Sequence, residues 1–311
     1  MEREIRIEAF AKINIGLAIG NPRPDGYHPI LGIFHSVGIS DKIRFRAEEG
    51  RGILVEGAFD CPAEATTVYK AAELFFRRTG IREGLAASVE KGIPVMAGLG
   101  GGSADAAATL LALDILFATK LGGGELSSLA GEIGADAPFF LRGGAAVVSG
   151  IGEVIEPIPP RGDFGILLIR PGFGVSTKWA YSELDSLRGS KGDPGRNEEE
   201  RLDSPEAKRK LVAAFESAPA RWPFSNAFGE MLGSAYPIYR ELDSRLRDAG
   251  AAYASITGSG SCMYGIFGSV DEAREAERKL RTSMTDGEGK TALCGMALHS
   301  IKPLETSLLL G

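Results

Sequence analysis

Cysteine is scarce in this chain of 311 residues. Cys61, Cys262 and Cys294 are the whole supply, odd in number and far apart. They build neither a disulfide framework nor a CxxC metal pair, so buried free thiols are expected. Basic blocks are scarce too. The 35 Lys+Arg are outnumbered by 41 Asp+Glu, for a formal charge of −6, which leaves little to hold a phosphate backbone and excludes a general nucleic-acid binder. No apolar run approaches the ~20 residues that span a bilayer. The opening Met1-Glu2-Arg3-Glu4-Ile5-Arg6 alternates charge and has no apolar core of a signal peptide. A cytoplasmic, reduced protein without membrane partners is expected. The 44% apolar and 24% charged residues are those of an ordinary globular protein, long enough for one large or two medium cores.

Glycine, in contrast, is plentiful and clustered. Of 42 glycines, the densest group lies in Ala97-Gly98-Leu99-Gly100-Gly101-Gly102-Ser103, with others in Gly143-Gly144, Gly150-Ile151-Gly152 and Thr257-Gly258-Ser259-Gly260-Ser261. Such clusters mark backbone that takes φ > 0 or lies close to another group.

Alternation predicts an early strand from Ile5 to Ala9, then strands over Ile13–Ile19, Ile30–Val37, Lys42–Arg46 and Ile53–Glu56. A helix is predicted over Thr66–Arg78, and a strand over Leu85–Val89. The glycine cluster then leads into a helix with Ser103 as N-cap and Asp105 in the first turn. A helix over Glu125–Ile133 and strands near Pro138–Leu141 and Ala145–Ser149 follow. The pattern breaks at Pro157-Ile158-Pro159-Pro160, which sets a domain boundary at 160/161. A strand over Phe164–Ile169 comes next. Residues Ser186 to Lys210 read as a polar, exposed excursion. Helices near Glu206–Phe215, Asn226–Leu232 and Pro237–Asp248, strands Tyr253–Ile256 and Cys262–Phe267, a helix Val270–Arg281 and a strand near Leu293–Ile301 complete an α+β chain in two lobes.

Three elements can do chemistry. Residues Gly98 to Ser103 leading into a helix have the makings of an anion site, because glycines let N–H groups point inward and the helix N-terminus adds free donors. Phosphate is the natural ligand. The Gly-Lys-Ser/Thr of a Walker A loop is missing, and the third glycine of a dinucleotide fingerprint is replaced by Ser103. Lys12 lies in the apolar stretch Ala9-Phe10-Ala11-Lys12-Ile13-Asn14-Ile15. It either points to solvent or is a fixed cation suited to phosphate or a reacting hydroxyl. Asp136, alone among small and apolar residues in Gly134-Ala135-Asp136-Ala137-Pro138-Phe139-Phe140, either caps a turn or presents its carboxylate to a cleft. Buried, it needs a cationic or hydrogen-bonding neighbour.

Together these elements resemble the GHMP small-molecule kinase superfamily. Its phosphate loop, Pro-x3-Gly-Leu-Gly-x-Gly/Ser-Ser, is matched by Pro94-Val95-Met96-Ala97-Gly98-Leu99-Gly100-Gly101-Gly102-Ser103, and its C-terminal glycine turn by Thr257-Gly258-Ser259-Gly260-Ser261-Cys262. Ala11-Lys12-Ile13-Asn14, Asp25-Gly26-Tyr27-His28 and Gly134-Ala135-Asp136-Ala137-Pro138-Phe139 are similar to the branch acting on a cytidine diphosphate-linked methylerythritol. Asp-Gly-Tyr-His is the discriminating motif. The resemblance runs over nearly the whole chain and implies the two-lobed GHMP kinase fold, with an ATP-binding lobe in 1–160, a C-terminal lobe in 161–311 and the active site between them. It implies phosphorylation of the substrate's 2-hydroxyl by ATP, with Mg²⁺ accompanying the nucleotide and no protein ligand for the metal assigned. Asp136 would accept the hydroxyl proton, and Lys12 would hold Asp136 ionised and stabilise the developing charge. Pro94 and Gly98–Ser103 would hold the phosphates, Asn14 the erythritol or phosphate end, and Tyr27 and His28 the cytosine. Tyr181, or Trp179 in its place, would stack on the base, although Tyr181 also suits the buried face of a helix. His35 and His299 carry no such context and are expected to be structural or exposed.

Two departures stand out. Ala104 replaces the loop's usual second serine, and the 186–210 stretch is longer than the family's connection. Other GHMP kinases, of homoserine or mevalonate type, and a non-catalytic nucleotide sensor remain alternatives. The sequence is equally compatible with a monomer or a homodimer.

Overall fold

A computed structural model describes residues 3–191, 202–285, 296–304, 306 and 308–310. Its framework starts with two long antiparallel strands, β1 (Glu4–Ile19) and β2 (Ile30–Glu48), paired from Glu4↔Arg46 to Ile19↔Ile30. The shorter strands expected at 13–19, 30–37 and 42–46 merge into these two. Register irregularities between Phe10/Ala11 and Ile15/Leu17 bend the ribbon without ending it. From Ala9 to Leu17 every residue of β1 is buried, so both faces are covered and the alternation that marks a half-wet strand is lost.

β3 (Ile53–Gly57) and β4 (Gly84–Glu90) run parallel, joined by a crossover containing α1 (Thr67–Thr79). Thr66 caps α1 by accepting from the Tyr69 N–H. Gly80, at φ +73°, ends it in the left-handed conformation that glycine takes without strain. α2 (Gly101–Leu116) lies against α1 and β1 and is buried on nearly every side. α3 (Gly123–Ile133) and α4 (Ala137–Phe140) follow, then β5 (Ala145–Ser149) and β6 (Val154–Ile158), which add to β2. The strand expected at 138–141 is instead the helical turn α4. A short, fully buried apolar run carries no period, and Pro138 falls in the first helical turn, where its missing N–H costs nothing.

The second sheet has the order β10-β7-β9-β8, from β7 (Gly165–Arg170), β8 (Tyr253–Ile256), β9 (Met263–Phe267) and β10 (Ala297–Ile301). The helices of this half are α5 (Thr177–Lys191), α6 (Pro205–Glu216), which packs on β2 and β5 of the first sheet, α7 (Gly229–Ala235), and α8 (Ile238–Asp248) and α9 (Val270–Thr285), which pack on the second sheet. The final strand β11 (Leu308–Leu310) returns to the first sheet and pairs with β1 through Ile7↔Leu310. Part of the polar 186–210 stretch is helical, since α5 extends to Lys191 and Ser204 caps α6. The charged run 196–201 lies outside the described residues, as does Cys294. Cys262 is buried, whereas Cys61 is exposed, contrary to expectation, in the loop after β3.

Between β6 and β7 the chain passes Arg161. Its N–H donates to His35 Nε2 at 3.1 Å, and its guanidinium donates to the carbonyls of Phe215 and Ser217 while lying over the rings of Phe164 and Trp222. His35 Nδ1 is 2.9 Å from the Ser36 carbonyl, so this network assigns the proton to Nδ1. Burial pushes the His35 imidazole down to about 4.

Candidate active site

A cavity of about 600 Å³ is lined by β1 and β2, by the glycine loop, by the start of α5 and by the 257–262 turn. Gly98 and Gly100 have φ of +73° and +74°. A Cβ on Gly98 would lie 2.0 Å from the Thr257 carbonyl oxygen, so the position admits only glycine in this geometry. Gly100 is the N-cap of α2, which therefore begins at Gly101, two residues ahead of the expected cap Ser103. The left-handed glycine lets the helix start inside the loop. The N–H groups of Gly101, Gly102 and Ser103 consequently have no intrahelical acceptor, and they form the donor-rich end suited to an anion.

The second half of the chain holds this loop from below. Ser261 and Cys262 donate backbone N–H groups to the carbonyls of Met96 and Ala97 at 3.3 and 3.2 Å, and Thr257 Oγ1 donates to Gly98 O at 3.0 Å. The 257–262 turn is thus a structural partner of the loop 243 or more residues from β1, whose Asn14 N–H donates to Thr257 Oγ1.

Lys12 does not reach solvent. Its backbone N–H donates to Leu99 O, and its ammonium donates to Asn14 Oδ1 at 2.6 Å and Gly98 O at 3.1 Å. The same group lies 4.7 Å from the Phe34 ring centroid and 3.5 Å from Asp136 Oδ2. Burial pushes its pKa down from the usual lysine value, opposed by the charge of Asp136. Asp136 occupies the N-cap position of α4 but makes no capping bond, so its carboxylate stays directed at the cavity and the ammonium. Of the two alternatives for Asp136, the structure thus has the carboxylate presented to the cavity and no side-chain cap. A cation and a carboxylate, 124 positions apart in sequence, meet beside a nest of free N–H groups.

Tyr181, on α5, also lines the cavity and meets Phe228 edge-to-face at 5.0 Å. Burial, reinforced by the charges of Asp136 and Asp185, pushes its phenol up to about 12. His28 lies against Tyr181 with ring centroids 4.8 Å apart. Its Nδ1 faces Gly20 O at 2.9 Å, and its Nε2 faces Asp185 Oδ2 at 3.3 Å. Trp179 packs on Tyr236 instead and does not line the cavity. Tyr27 is 57% exposed and is not brought to the cavity wall either. Pro94 and Asn14 are lining residues.

Sequence reasoning missed several neighbours. Phe59, Cys61 and Thr67 also line the cavity, as do Thr177 and Ser259, whose Oγ1 and Oγ pair at 3.0 Å. Lys91 and Asp105 also line it and form an ion pair at 2.8 Å, while Asp41 takes the other side of the ammonium at 2.5 Å. Asp105 is the fifth residue of α2 and lies outside the first turn where it was expected. A signal for it was present. A helix apolar on all sides is buried, so a single carboxylate among the alanines of 104–108 needs a partner. Nothing in the sequence points to Asp41 or Asp185.

Two family models match this chain. The one described as GHMP kinases N terminal domain covers residues 66–144, and the one described as GHMP kinases C terminal covers 212–286. The 4-diphosphocytidyl-2-C-methyl-D-erythritol kinase of Pelotomaculum thermopropionicum is 37% identical over 275 residues, 88% of this chain and 92% of that one. The kinase of the same name from Chlorobium phaeobacteroides is 35% identical over 90% of this chain and 94% of its own. A crystal structure of 4-(cytidine 5'-diphospho)-2C-methyl-D-erythritol kinase superposes with a TM-score of 0.73 at 30% identity, covering 97% and 99% of the two chains. Homoserine kinase from Cytophaga hutchinsonii gives the same TM-score at 18% identity, which is a likeness of fold alone. With most of its length aligned at this level of identity, the chain belongs to the 4-diphosphocytidyl-2-C-methyl-D-erythritol kinase family of the GHMP kinases.

Proposed function

We propose that this protein transfers the γ-phosphoryl group of ATP to the 2-hydroxyl of 4-diphosphocytidyl-2-C-methyl-D-erythritol, giving the 2-phosphate and ADP in the methylerythritol phosphate route to isoprenoid precursors. The observation that carries this reading is the Lys12–Asp136 pair at 3.5 Å, set beside the glycine loop in a chain of this family. An alcohol is a poor nucleophile at neutral pH, and phosphoryl transfer asks the protein for alignment and charge stabilisation. The Asp136 carboxylate accepts the hydroxyl proton as the substrate oxygen bonds to phosphorus. The bond to the β–γ bridging oxygen breaks, and ADP leaves with that electron pair. Lys12 is the fixed cation that offsets the charge gathering on the transferred group. The N–H groups at the start of α2 hold the phosphates.

The adenosine end lies toward Phe59 and Thr67, and the cytidine end toward Tyr181, which stacks on the base, with His28 behind it. Tyr181 suits this better than Trp179, which is turned to Tyr236. Asn14, already tied to Lys12 and Thr257, contacts the erythritol end. Tyr27 reaches the cytosine only from the exposed rim. Among the described residues, no group of three or more His, Cys, Asp or Glu could hold a metal ion. The donors do not make a protein cage for Mg²⁺, which belongs to the reading as the counterion of ATP. Division of the chain at 160/161 is supported by the change of sheet between β6 and β7, with β11 as the return crossing. A cytoplasmic setting accompanies this reading. No helix among the described residues is long and apolar enough to cross a membrane.

The test is ADP release from Mg-ATP with the cytidine compound, homoserine or mevalonate as acceptor. Turnover with the cytidine compound alone is expected. Turnover only with another alcohol would keep the kinase and discard the cytosine site, and silence from folded protein that binds ATP would favour a sensor. In Asp136→Asn, kcat should fall by on the order of a hundredfold or more with ADP affinity unchanged. An undiminished kcat would remove Asp136 from the role of base.

A further inference from the structure

Behind the glycine loop, two carboxylates share one ammonium. Lys91 Nζ donates to Asp41 Oδ2 at 2.5 Å and to Asp105 Oδ2 at 2.8 Å. Asp41 is otherwise well supplied, because its Oδ1 accepts the N–H groups of Gly92 and Ile93 at 2.7 and 2.8 Å. Asp105 is not. Its Oδ1 is buried and finds no donor. The cluster touches the phosphate wall directly: a Cβ on Gly101 would lie 3.7 Å from Asp41 Oδ2, and Lys91 and Asp105 both line the cavity.

With both carboxylates ionised the cluster carries one excess negative charge, placed where phosphates are to bind. Phosphate charges entering a partly desolvated cavity would meet that charge with little screening. The conflict is removed by one proton, and the carboxylate short of donors is the one that takes it.

We propose that Asp105 is a positioning residue that takes up a proton from solvent when nucleotide phosphates enter the glycine loop, so that nucleotide binding is linked to proton uptake. This rests on the reading of the cavity as an ATP site. The protonated Asp105 leaves the Lys91 ammonium to Asp41 and to the incoming phosphates, with α2 and its N-terminal donors held in place. Other elements packed on α2 do not supply the missing charge. The buried residues of α1, α3 and α4 are apolar, Lys12 of β1 is committed to Asp136, and His35 of β2 is turned to Arg161. Burial, opposed by Lys91 and reinforced by the charge of Asp41, pushes the Asp105 carboxyl up to about 7 in the ligand-free protein. A carboxyl raised in this way holds its proton more readily than a free one and is responsive to a new anion.

The experiment is calorimetric titration of the full chain with Mg-ADP at about pH 7, in buffers of different ionisation enthalpy, for the wild type and Asp105→Asn. The wild type should take up more protons than the variant, the excess being at most about one per nucleotide bound. Titration of the nucleotide itself is common to both proteins and cancels in the difference. The excess should vanish near pH 5.5, where Asp105 is already protonated. Equal proton counts in the two proteins would overturn the inference while leaving the nucleotide site intact. No binding heat at all in the wild type would overturn the kinase reading and this inference with it. If Asp105→Asn does not fold, the wild type alone decides. Its Mg-ADP affinity should fall, by up to about tenfold for a one-unit rise of the carboxyl in the complex, between about pH 6.5 and 8.5. A flat profile would refute the linkage.

Discussion

Replacing Lys12 by methionine should separate stability from activity. The ammonium is 3% exposed, and its pKa lies below that of a free lysine, so burial outweighs the attraction of Asp136 3.5 Å away. The sign follows from linkage. A lysine whose folded pKa is lowered binds its proton less readily in the native state, so its charged form opposes folding at every pH below that value. Methionine has nearly the same length and keeps the packing against Phe34. Against this gain stand the lost bonds to Asn14 Oδ1 and Gly98 O, each about 1 kcal/mol or somewhat more to a charged donor, although Thr257 Oγ1 also approaches both oxygens. Asp136 is 32% exposed and can be solvated when its partner goes, so it is not left as a stranded buried charge. The balance is a stability that is unchanged or raised by about 1–2 kcal/mol, with kcat lowered by on the order of a thousandfold, as for loss of a major electrostatic stabiliser. Urea unfolding and ADP-release kinetics on one preparation check both halves. A loss of more than about 2 kcal/mol would refute the balance, and a retained kcat would remove Lys12 from the mechanism.

Other substitutions test other parts of the site. In Gly98→Ala, the new Cβ meets the Thr257 carbonyl at 2.0 Å and the left-handed backbone costs a further ~1–2 kcal/mol. The loop must move, and the KM for ATP should rise by about tenfold or more, measured at saturating acceptor. Unchanged kinetics would mean that the loop is not fixed by the 257–262 turn. Tyr181→Ala should raise the KM for the cytidine substrate about tenfold and spare that for ATP, whereas Trp179→Ala should change neither; equal losses for both substrates in Tyr181→Ala would move the base platform elsewhere. His35, held down to about 4, takes its proton in the unfolded chain near 6.5 but not in the native one. Stability should therefore fall as pH drops from 6.5 to 4, by up to about 3 kcal/mol. Urea midpoints across that range should flatten in His35→Gln, and an equally steep decline in the variant would assign the acid sensitivity to other groups.

The order of elements was largely legible because most helices and strands here have one wet face. α1 repeats its apolar residues at helical spacing between Thr66 and Gly80, and the glycine loop announces a helix start through composition alone. Where both faces are buried, periodicity vanishes. That is why β1 and β2 read as fragments, and why α4 read as a strand.

The chemistry divides along the same line. Residue types at short spacing determined the anion-binding character of 98–103 and marked Lys12 and Asp136 as charges in apolar surroundings, since burying an unpaired charge is too costly to be accidental. The residue pattern alone could not say that the two face one another, nor that Lys12 turns inward; only the resemblance to the GHMP kinases implied that they meet. Only the tertiary structure decided that, by covering both faces of β1 and setting the start of α4 against it. It also joined the 257–262 turn to the loop, turned Tyr181 rather than Trp179 to the cavity, and put Asp41, Lys91 and Asp105 within one hydrogen-bonded cluster. Local sequence sets what a residue can do over a few ångströms. The partner that makes it do so comes from strand pairing and helix packing over 50 to 250 positions, which no local pattern encodes.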